Sequence, residues 1–581
     1  MQNLKKLLAV LLIACMLLPL AACGEKQNEP TTTPTQSTTP TEPTAPAESE
    51  KQWLPLVDPA EGKTLTIGMV VNSNVTDYDD NSYTRFATES TGVNVTFKQF
   101  TGTNTDVATQ VSLMIAGNEK LPDIFWGFSA ISSSVRDEYG TDGILVNCLP
   151  YLKDKDMTHF ALESLSIIFG TEEKADEIMQ MMIDRCYFPQ DDACYCYPGI
   201  QYEPQNCLTA YPMINKKWLD KLGLQVPKTV DDLYNVLVAF RDKDPNGNGL
   251  KDEIPMTGRP NVNYADPVEW IMNAFIYTQF TYHFNIDDGK VSTPYNTKEY
   301  RQGLAFLKKL HDEGLFVETN FTMTNAEYKS LANPTNGNPE TVGIVCHHPD
   351  IIWTTDSDAV LDYVAIGPLA DATGKGGWGA NAGYNCTFTN YITTTCSDPE
   401  LAFRYLDWHH SYEAGIWQER GERGVDWEWS DGKAPGLTGL TPVVKVTADG
   451  DFWTTPTNRC WHNIQGCYSA YYSCMEVAPF DPNDWMSMKS ANIMDNFNAF
   501  EKAGTPKETF YYAIYNVEED TERQDFLSDL TSYIQKSRTD FICSKLDVNS
   551  DKDWNTYLDT LKSLKYDRWV EIAQSAVSRA N

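Results

Sequence analysis

A chain of 581 residues is too long for one ordinary hydrophobic core, so at least two packed lobes are expected. Hydrophobic residues make up 41% of it and aromatic residues 12%, enough to fill them. The 80 acidic against 46 basic residues give a net charge of -34, which repels phosphate backbones and anionic lipid heads and argues against a nucleic-acid partner.

Lys5 and Lys6 precede the apolar run Leu7 to Leu20, which is short for a membrane span of about 20 residues and reads as the apolar part of a signal peptide over residues 1–22. It ends in Leu20-Ala21-Ala22-Cys23 before Gly24, the pattern of a bacterial lipobox, which makes Cys23 the expected site of diacylglyceryl attachment. Two acyl chains hold a protein on a bilayer where one does not. The expected address is therefore the outer face of the cytoplasmic membrane, with contact to the membrane through the lipid alone. Residues 23–50, rich in Thr, Pro and Glu, form a disordered tether reaching roughly 30–80 Å, depending on stiffness. The cysteines after Cys23 (Cys148, Cys186, Cys194, Cys196, Cys207, Cys346, Cys386, Cys396, Cys460, Cys467, Cys474 and Cys543) leave disulfides and buried free thiols both open, and no spacing points to zinc.

Beyond Trp53, alternation at Leu65, Ile67 and Met69 predicts a strand, then a helix through Tyr83, Phe86 and Ala87 that closes at Thr91-Gly92. Val93 to Phe97 follows as a strand, Val107, Val111, Met114 and Ile115 mark a helix, and Leu121 to Phe125 is a third strand. This alternation is an α/β fold with parallel strands and right-handed crossovers, whose ligands bind beyond the strands' carboxyl ends. A second unit begins after Pro198-Gly199, with a strand in Leu208 to Ile214 and a helix through Trp218, Leu219 and Leu222. Thr229 with Asp232 fits a capping box for a helix with Leu233, Val236, Leu237 and Phe240 as its apolar stripe. Val342 to Cys346 reads as a strand, and Asp398-Pro399 opens another helix.

The segment Asp242 to Glu253 looks like a calcium loop, with alternating Asp and Asn side chains and turn glycines. One register starts at Asp242 with Gly247 at the turn. The favoured one starts at Asp244, spans 244–253 and offers Asp244, Asn246, Asn248, the Leu250 carbonyl, Asp252 and Glu253 to a structural calcium ion, with Gly249 at the turn. Other candidates are weaker. His409 and Glu413, four apart, are expected to pair on a helix surface, and Asp547 to Asp553 to cap the helix at Trp554. No nucleophile elbow or phosphate loop is present, and a binding protein, not an enzyme, is expected.

The stretch Ile214-Asn215-Lys216-Lys217-Trp218-Leu219-Asp220-Lys221-Leu222-Gly223-Leu224, then Pro227-Lys228-Thr229 and the loop Asp244 to Pro255, resembles the family 1 extracellular solute-binding proteins, in particular the large lipoproteins of the LplA/LipO type and the calcium-containing alginate-oligosaccharide binders. Leu121 to Ile124, Asp192 to Pro198, Gly421 to Trp427 and Trp554 to Gln574 resemble further segments of that family, so the likeness runs through nearly the whole chain beyond the tether. The resemblance implies a two-lobe fold of the periplasmic-binding-protein type II, each lobe a mostly parallel sheet flanked by helices, joined by hinge segments and closing over a solute. The lobes are expected at 51–203 with 376–455, and at 204–375 with 456–581.

It further implies a monomer that captures a carbohydrate, most readily an oligosaccharide, and delivers it to the permease subunits of an ABC importer. A peptide or other nutrient as cargo, a sugar-sensing surface lipoprotein and a glycoside-active enzyme remain alternatives. Sugars stack C–H faces on aromatic rings and pair hydroxyls with polar groups. By position, Trp126, Tyr264, Trp270, His347, His348, Trp353, Trp378 and Trp427 are the expected contacts.

Overall fold

The computed structural model describes residues 53–201, 208–280, 283–354, 356–379, 385–434, 436, 442–447, 456–462, 476, 481–504, 508–509 and 515–580. The signal segment, Cys23, the tether, Cys207, Cys467 and Cys474 lie outside them. No helix among the described residues is long and apolar enough to cross a membrane.

Two sheets organise the chain. Their strands, in chain order, are β1 (Thr64–Val70), β2 (Asn94–Phe100), β3 (Ile124–Trp126), β4 (Tyr197–Gln201), β5 (Pro212–Asn215), β6 (Ile254–Thr257), β7 (Val342–Cys346), β8 (Tyr363–Ala365) and β9 (Asn385–Ile392). The first sheet is five-stranded in the order β2-β1-β3-β9-β4, and the second four-stranded in the order β8-β5-β7-β6. β1 runs parallel to β2, with Ile67 opposite Phe97, and parallel to β3, with Ile67 opposite Ile124. β9 runs against both β3 and β4. In the second sheet β6 and β7 are parallel, and β5 runs against both β7 and β8. Each sheet therefore carries one reversed strand among strands of common direction, as expected of mostly parallel sheets.

Local chemistry sets the elements. The helix Ser82–Thr91 starts at Asn81, whose side chain accepts from the Tyr83 N–H, and stops at Gly92, where φ is 76°. The helix Val230–Asp242 has the full capping box, Thr229 and Asp232 each accepting from the other's backbone. Asp398 caps the helix Pro399–His409 through the Leu401 N–H. The third predicted strand is shorter than Leu121 to Phe125 suggests: strand pairing begins only at Ile124. Likewise β5 starts at Pro212 rather than Leu208.

Each sheet has its own core. Ile67, Met69, Ile124, Leu165, Phe403 and Leu406 belong to the first, and Leu237, Phe240, Leu304, Leu307, Ile344 and Trp569 to the second. A smaller cluster with Met213, Val345 and Tyr363 covers the second sheet's other side. Two lobe boundaries differ from expectation. Residues 456–462 were expected in the second lobe, but Val75 bridges Thr457 and Trp461 lies in the first core. Conversely, 376–379 belong with the second: a Cβ on Gly376 would meet the Ala274 carbonyl at 2.4 Å, and the Gly379 N–H donates to the Gly504 carbonyl at 2.8 Å. The cut expected at 203 falls outside the described residues. Between the lobes, Ser134 Oγ donates to Asp520 Oδ2 at 2.7 Å, tying the helix Ser133–Thr141 to the long helix Val517–Ile542.

The described cysteines are free thiols, with Cys148, Cys186, Cys194, Cys196, Cys346, Cys396, Cys460 and Cys543 buried and Cys386 half-buried.

Candidate functional site

In an α/β sheet the carboxyl ends of the common-direction strands form one edge, and in the first sheet that edge also holds the start of the reversed strand β9. Here β3 ends at Trp126, beside Thr389 and Asn390 of β9. The Gly127 N–H donates to Asn390 Oδ1 at 2.9 Å and the Phe128 N–H to the Thr389 carbonyl at 2.8 Å. Three polar atoms at this rim are buried with no hydrogen-bond partner: Trp126 Nε1, Thr389 Oγ1 and Asn390 Nδ2. Buried polar groups are nearly always paired, so three orphans side by side mark a place built to meet something.

The second rim lies beyond β6 and β7. Tyr264, Tyr211 and His348 meet there, with ring centroids 4.9 Å apart for Tyr211–His348 and 5.6 Å for Tyr264–His348. Next to them opens a cavity of about 170 Å³, whose lining includes Thr209, Asn261, Asp266, Glu269, His283 and Arg538. Arg538 and Asp266 form a buried ion pair, Nη2 to Oδ2, at 3.0 Å. The guanidinium sits over the Phe280 ring, 3.9 Å from its centroid. Burial pushes the Glu269 carboxyl up to about 7, and burial together with the Arg538 charge pushes His283 down to about 4. Asn261, Tyr264 and His283 all have positive φ, at 68°, 67° and 64°. Backbone held in that region by non-glycine residues is costly and gathers at functional sites.

In the loop after the helix Val230–Asp242, the aspartates that open the two registers are held differently. The Asp244 carboxylate accepts from the Gly247 N–H at 2.9 Å and from the Gly249 N–H at 3.1 Å, with φ at 78° and 76° in those glycines. Asp242, first in the other register, is held by Arg241 instead, Nε to Oδ1 at 2.7 Å. The amides of Asn246 and Asn248 reach Asp252 Oδ1 at 3.1 and 3.2 Å, and Asn248 also reaches Oδ2 at 2.9 Å. Glu253 Oε1 is buried without a hydrogen-bond partner. Burial, with the charges of Asp244 and Asp252, raises the Glu253 carboxyl above its usual range. No three acidic, His or Cys side chains converge on one point among the described residues; here Asp252 is turned to the two amides. The donor chemistry fits a hard, oxygen-seeking cation, whose arrival would release Asp252 and neutralise the crowded carboxylates.

Several expected contacts prove to be core. Trp126, Trp270, Trp353 and Trp427 are 0, 2, 3 and 0% exposed, which overturns their reading as open stacking platforms. The largest side chain is also the largest plug. Trp270 Nε1 donates to the Gly367 carbonyl at 3.2 Å and Trp427 Nε1 to the Gly421 carbonyl at 2.9 Å. Trp353 packs on Tyr363, ring centroids 4.8 Å apart, and Trp126 lies against His409 and Trp461 at 4.5 and 5.6 Å. His347 and His348 are buried at the second rim, Tyr264 is half-buried there, and Trp378 is half-buried on its glycine loop. His409 is not a surface residue: it is fully buried, and the helix ends before Ser411 caps a new one, Tyr412–Arg420, that carries Glu413. Of Asp547, Asn549, Asp551 and Asp553, expected to cap the helix at Trp554, none is its N-cap: Ser550 caps the helix Asp551–Ser563 through the Asp553 N–H, and Asp553 accepts from the Asp547 N–H at 3.0 Å.

Arg538, Asp266, Glu269 and His283 had no motif to announce them. One signal was available: Leu530, Ile534 and Phe541 make a buried stripe along the helix Val517–Ile542, and Arg538 falls on that stripe.

The fold, two sheets with one reversed strand each over separate cores, is shared with solved structures of extracellular solute-binding proteins. The chain matches, at a TM-score of 0.68 and 18% identity, the structure of an HMO-binding solute-binding protein from Bifidobacterium longum infantis, covering 89% of this chain and 98% of that one. In sequence it is 28% identical over 235 residues to the lipoprotein LipO of Bacillus subtilis, 40% of this chain and 46% of LipO. It is 35% identical over 145 residues to the fructooligosaccharide ABC transporter substrate-binding protein FusA of Streptococcus pneumoniae, 22% of this chain and 25% of FusA. A solved structure of the FusA EF-hand mutant matches at a TM-score of 0.61 and 20% identity, covering 89% of this chain and 99% of that one. The matched stretches span less than half of each curated relative. No family model matches the chain.

Proposed function

We propose that this protein is a lipid-anchored extracellular solute-binding protein that captures an oligosaccharide between its lobes and hands it to an ABC importer. The observation that carries the reading is the set of orphaned polar atoms at the carboxyl edges of both sheets: Trp126 Nε1, Thr389 Oγ1 and Asn390 Nδ2 on one, Arg538 Nε and Nη1 with Glu269 Oε1 on the other. Hydroxyls of a sugar both donate and accept, and would satisfy groups of either kind. Tyr264, His347 and His348 flank the second set, and Trp378 is a further contact from its loop. The kinship with FusA, named for fructooligosaccharides, supports the same class of cargo.

In this reading the lobes close about the chain passages between them, and a solute with more contacts in the closed form shifts the population toward it. The protein acts as a monomer, chemically leaves its cargo intact, and meets the membrane only through a lipid on Cys23. Asp244, Asn246, Asn248, the Leu250 carbonyl, Asp252 and Glu253 hold a calcium ion that clamps the loop between the helix Val230–Asp242 and β6; the FusA EF-hand supports that assignment. The test is calorimetric titration and thermal shift of the chain from residue 24 against neutral and acidic oligosaccharides. A micromolar ligand corresponds to about -8 kcal/mol and raises the melting temperature at millimolar concentration. Failure of every oligosaccharide to shift it, or recovery of cleaved sugar, would overturn the reading.

A further inference from the structure

The cavity at the second rim says which kind of solute the site takes. Arg538 is 3% exposed, and one of its nitrogens, Nη2, is spent on Asp266 at 3.0 Å and on Asn261 Oδ1. Its Nε and Nη1 are buried and have no partner. Glu269, also 3% exposed, accepts from the Phe280 N–H through Oε2 at 3.2 Å and has the Thr209 hydroxyl close by, while Oε1 makes no hydrogen bond of ordinary geometry. Both residues line the same cavity, so its walls contain residues with two spare donors and one spare carboxyl oxygen. Leaving such groups unmet inside a protein is unfavourable, and a ligand that meets them removes the penalty. Their positions are fixed in advance, Arg538 by its ion pair and by the Phe280 ring beneath it.

Charge decides between ligands. The Arg538 cation already has its counterion in Asp266, so the cavity holds no surplus positive charge for an anion. An incoming carboxylate would sit beside Asp266, and above pH 7 beside an ionised Glu269 as well, both lining the space, and would be repelled. Neutral hydroxyls meet no such barrier. Size agrees as well: about 170 Å³ compares with the cavity of roughly 150 Å³ that accommodates a benzene ring.

We propose that this cavity is the subsite for one neutral sugar ring, whose hydroxyls accept from Arg538 Nε and Nη1 and donate to Glu269 Oε1, and that it discriminates against uronates. The inference rests on the carbohydrate reading above and adds the cargo's charge and the residues that select it.

The test is calorimetric titration of the chain from residue 24 with kestose, nystose, maltotriose, xylotriose and lacto-N-tetraose as neutral probes and trigalacturonate as the acidic one. Two variants accompany the wild type. Arg538→Met removes the donors, and Asn263→Trp places a ring at the mouth from an exposed loop position, where the fold does not depend on the side chain. Expected is binding of at least one neutral probe, no binding of trigalacturonate, and a loss of at least tenfold in affinity in both variants, with the melting temperature of sugar-free Asn263→Trp unchanged. If Arg538→Met does not fold, Asn263→Trp decides alone. Tight binding of trigalacturonate, or wild-type affinity for the neutral probe in Asn263→Trp, overturns this inference and leaves the carbohydrate reading standing. Absence of binding by every probe overturns both.

Discussion

The two lobes each bury a carboxyl group that burial pushes up to about 7, yet they use it in opposite ways. In the first lobe Asp407 is fully engaged: Tyr197 donates to Oδ1 at 2.6 Å, the Ala161 N–H to Oδ1 at 3.2 Å and the Phe160 N–H to Oδ2 at 2.9 Å. It thereby caps the helix His159–Phe169 from a distant helix, where the local N-cap, Thr158, turns its hydroxyl back to the Asp154 carbonyl and makes no capping bond. In the second lobe Glu269 has one oxygen engaged and the other idle at a cavity. The contrast separates a polar group that completes a core from one held in reserve for a ligand. Saturation of hydrogen bonds, more than burial or pKa, distinguishes the two roles.

That distinction can be broken by experiment. The largest effect is expected from Asp407→Ala, which strands three buried donors and should cost about 4 kcal/mol in denaturant unfolding; a cost near zero would make Asp407 as idle as Glu269. Glu269→Gln should behave differently. A folded pKa raised to about 7 means that Glu269 contributes stability that is fully present below its ordinary value and is lost as pH rises through 7. Wild type and Glu269→Gln should therefore unfold alike near pH 4, and the variant should be the more stable by on the order of 3 kcal/mol at pH 8. A pH-independent difference between them would refute the assignment. Calcium comes next: at a hundredfold excess over its dissociation constant it should add about 2.7 kcal/mol. EGTA should lower the melting temperature of the wild type and leave Asp244→Ala unmoved, and an equal response in both would remove the ion from the loop. The smallest effect belongs to the first rim. Trp126→Phe deletes an unpaired buried N–H and leaves a small hole in the first core, so stability should fall by about 1 kcal/mol and sugar affinity by about fivefold, also near 1 kcal/mol. Unchanged affinity would confine recognition to the second lobe.

Much of the fold was written locally. The alternation at Leu65, Ile67 and Met69, the stop at Gly92, the box of Thr229 with Asp232 and the proline after Asp398 each act within a few residues, and each element formed where they point. The loop at Asp244 forms its turns for the same reason, since its carboxylate bonds close within the segment. The site was less legible because it is tertiary. Thr209, Asn261, Glu269, His283 and Arg538 come from separate segments, and nothing in any one of them states that the others are near. Tryptophan misled because the bulk that suits it to stacking on a sugar suits it equally to filling a core, as Trp427 does. His409 misled because a spacing of four implies a shared helix face only if the helix continues, and here it ends first.

The long helix Val517–Ile542 has a mechanical implication. Asp520 near its start grips Ser134 of the first lobe, and Arg538, about 27 Å further along at 1.5 Å per residue, forms a wall of the cavity in the second. A helix is stiff along its axis, so the two points cannot drift independently. Tilting of one lobe against the other is therefore coupled along this rod to the guanidinium in the cavity wall.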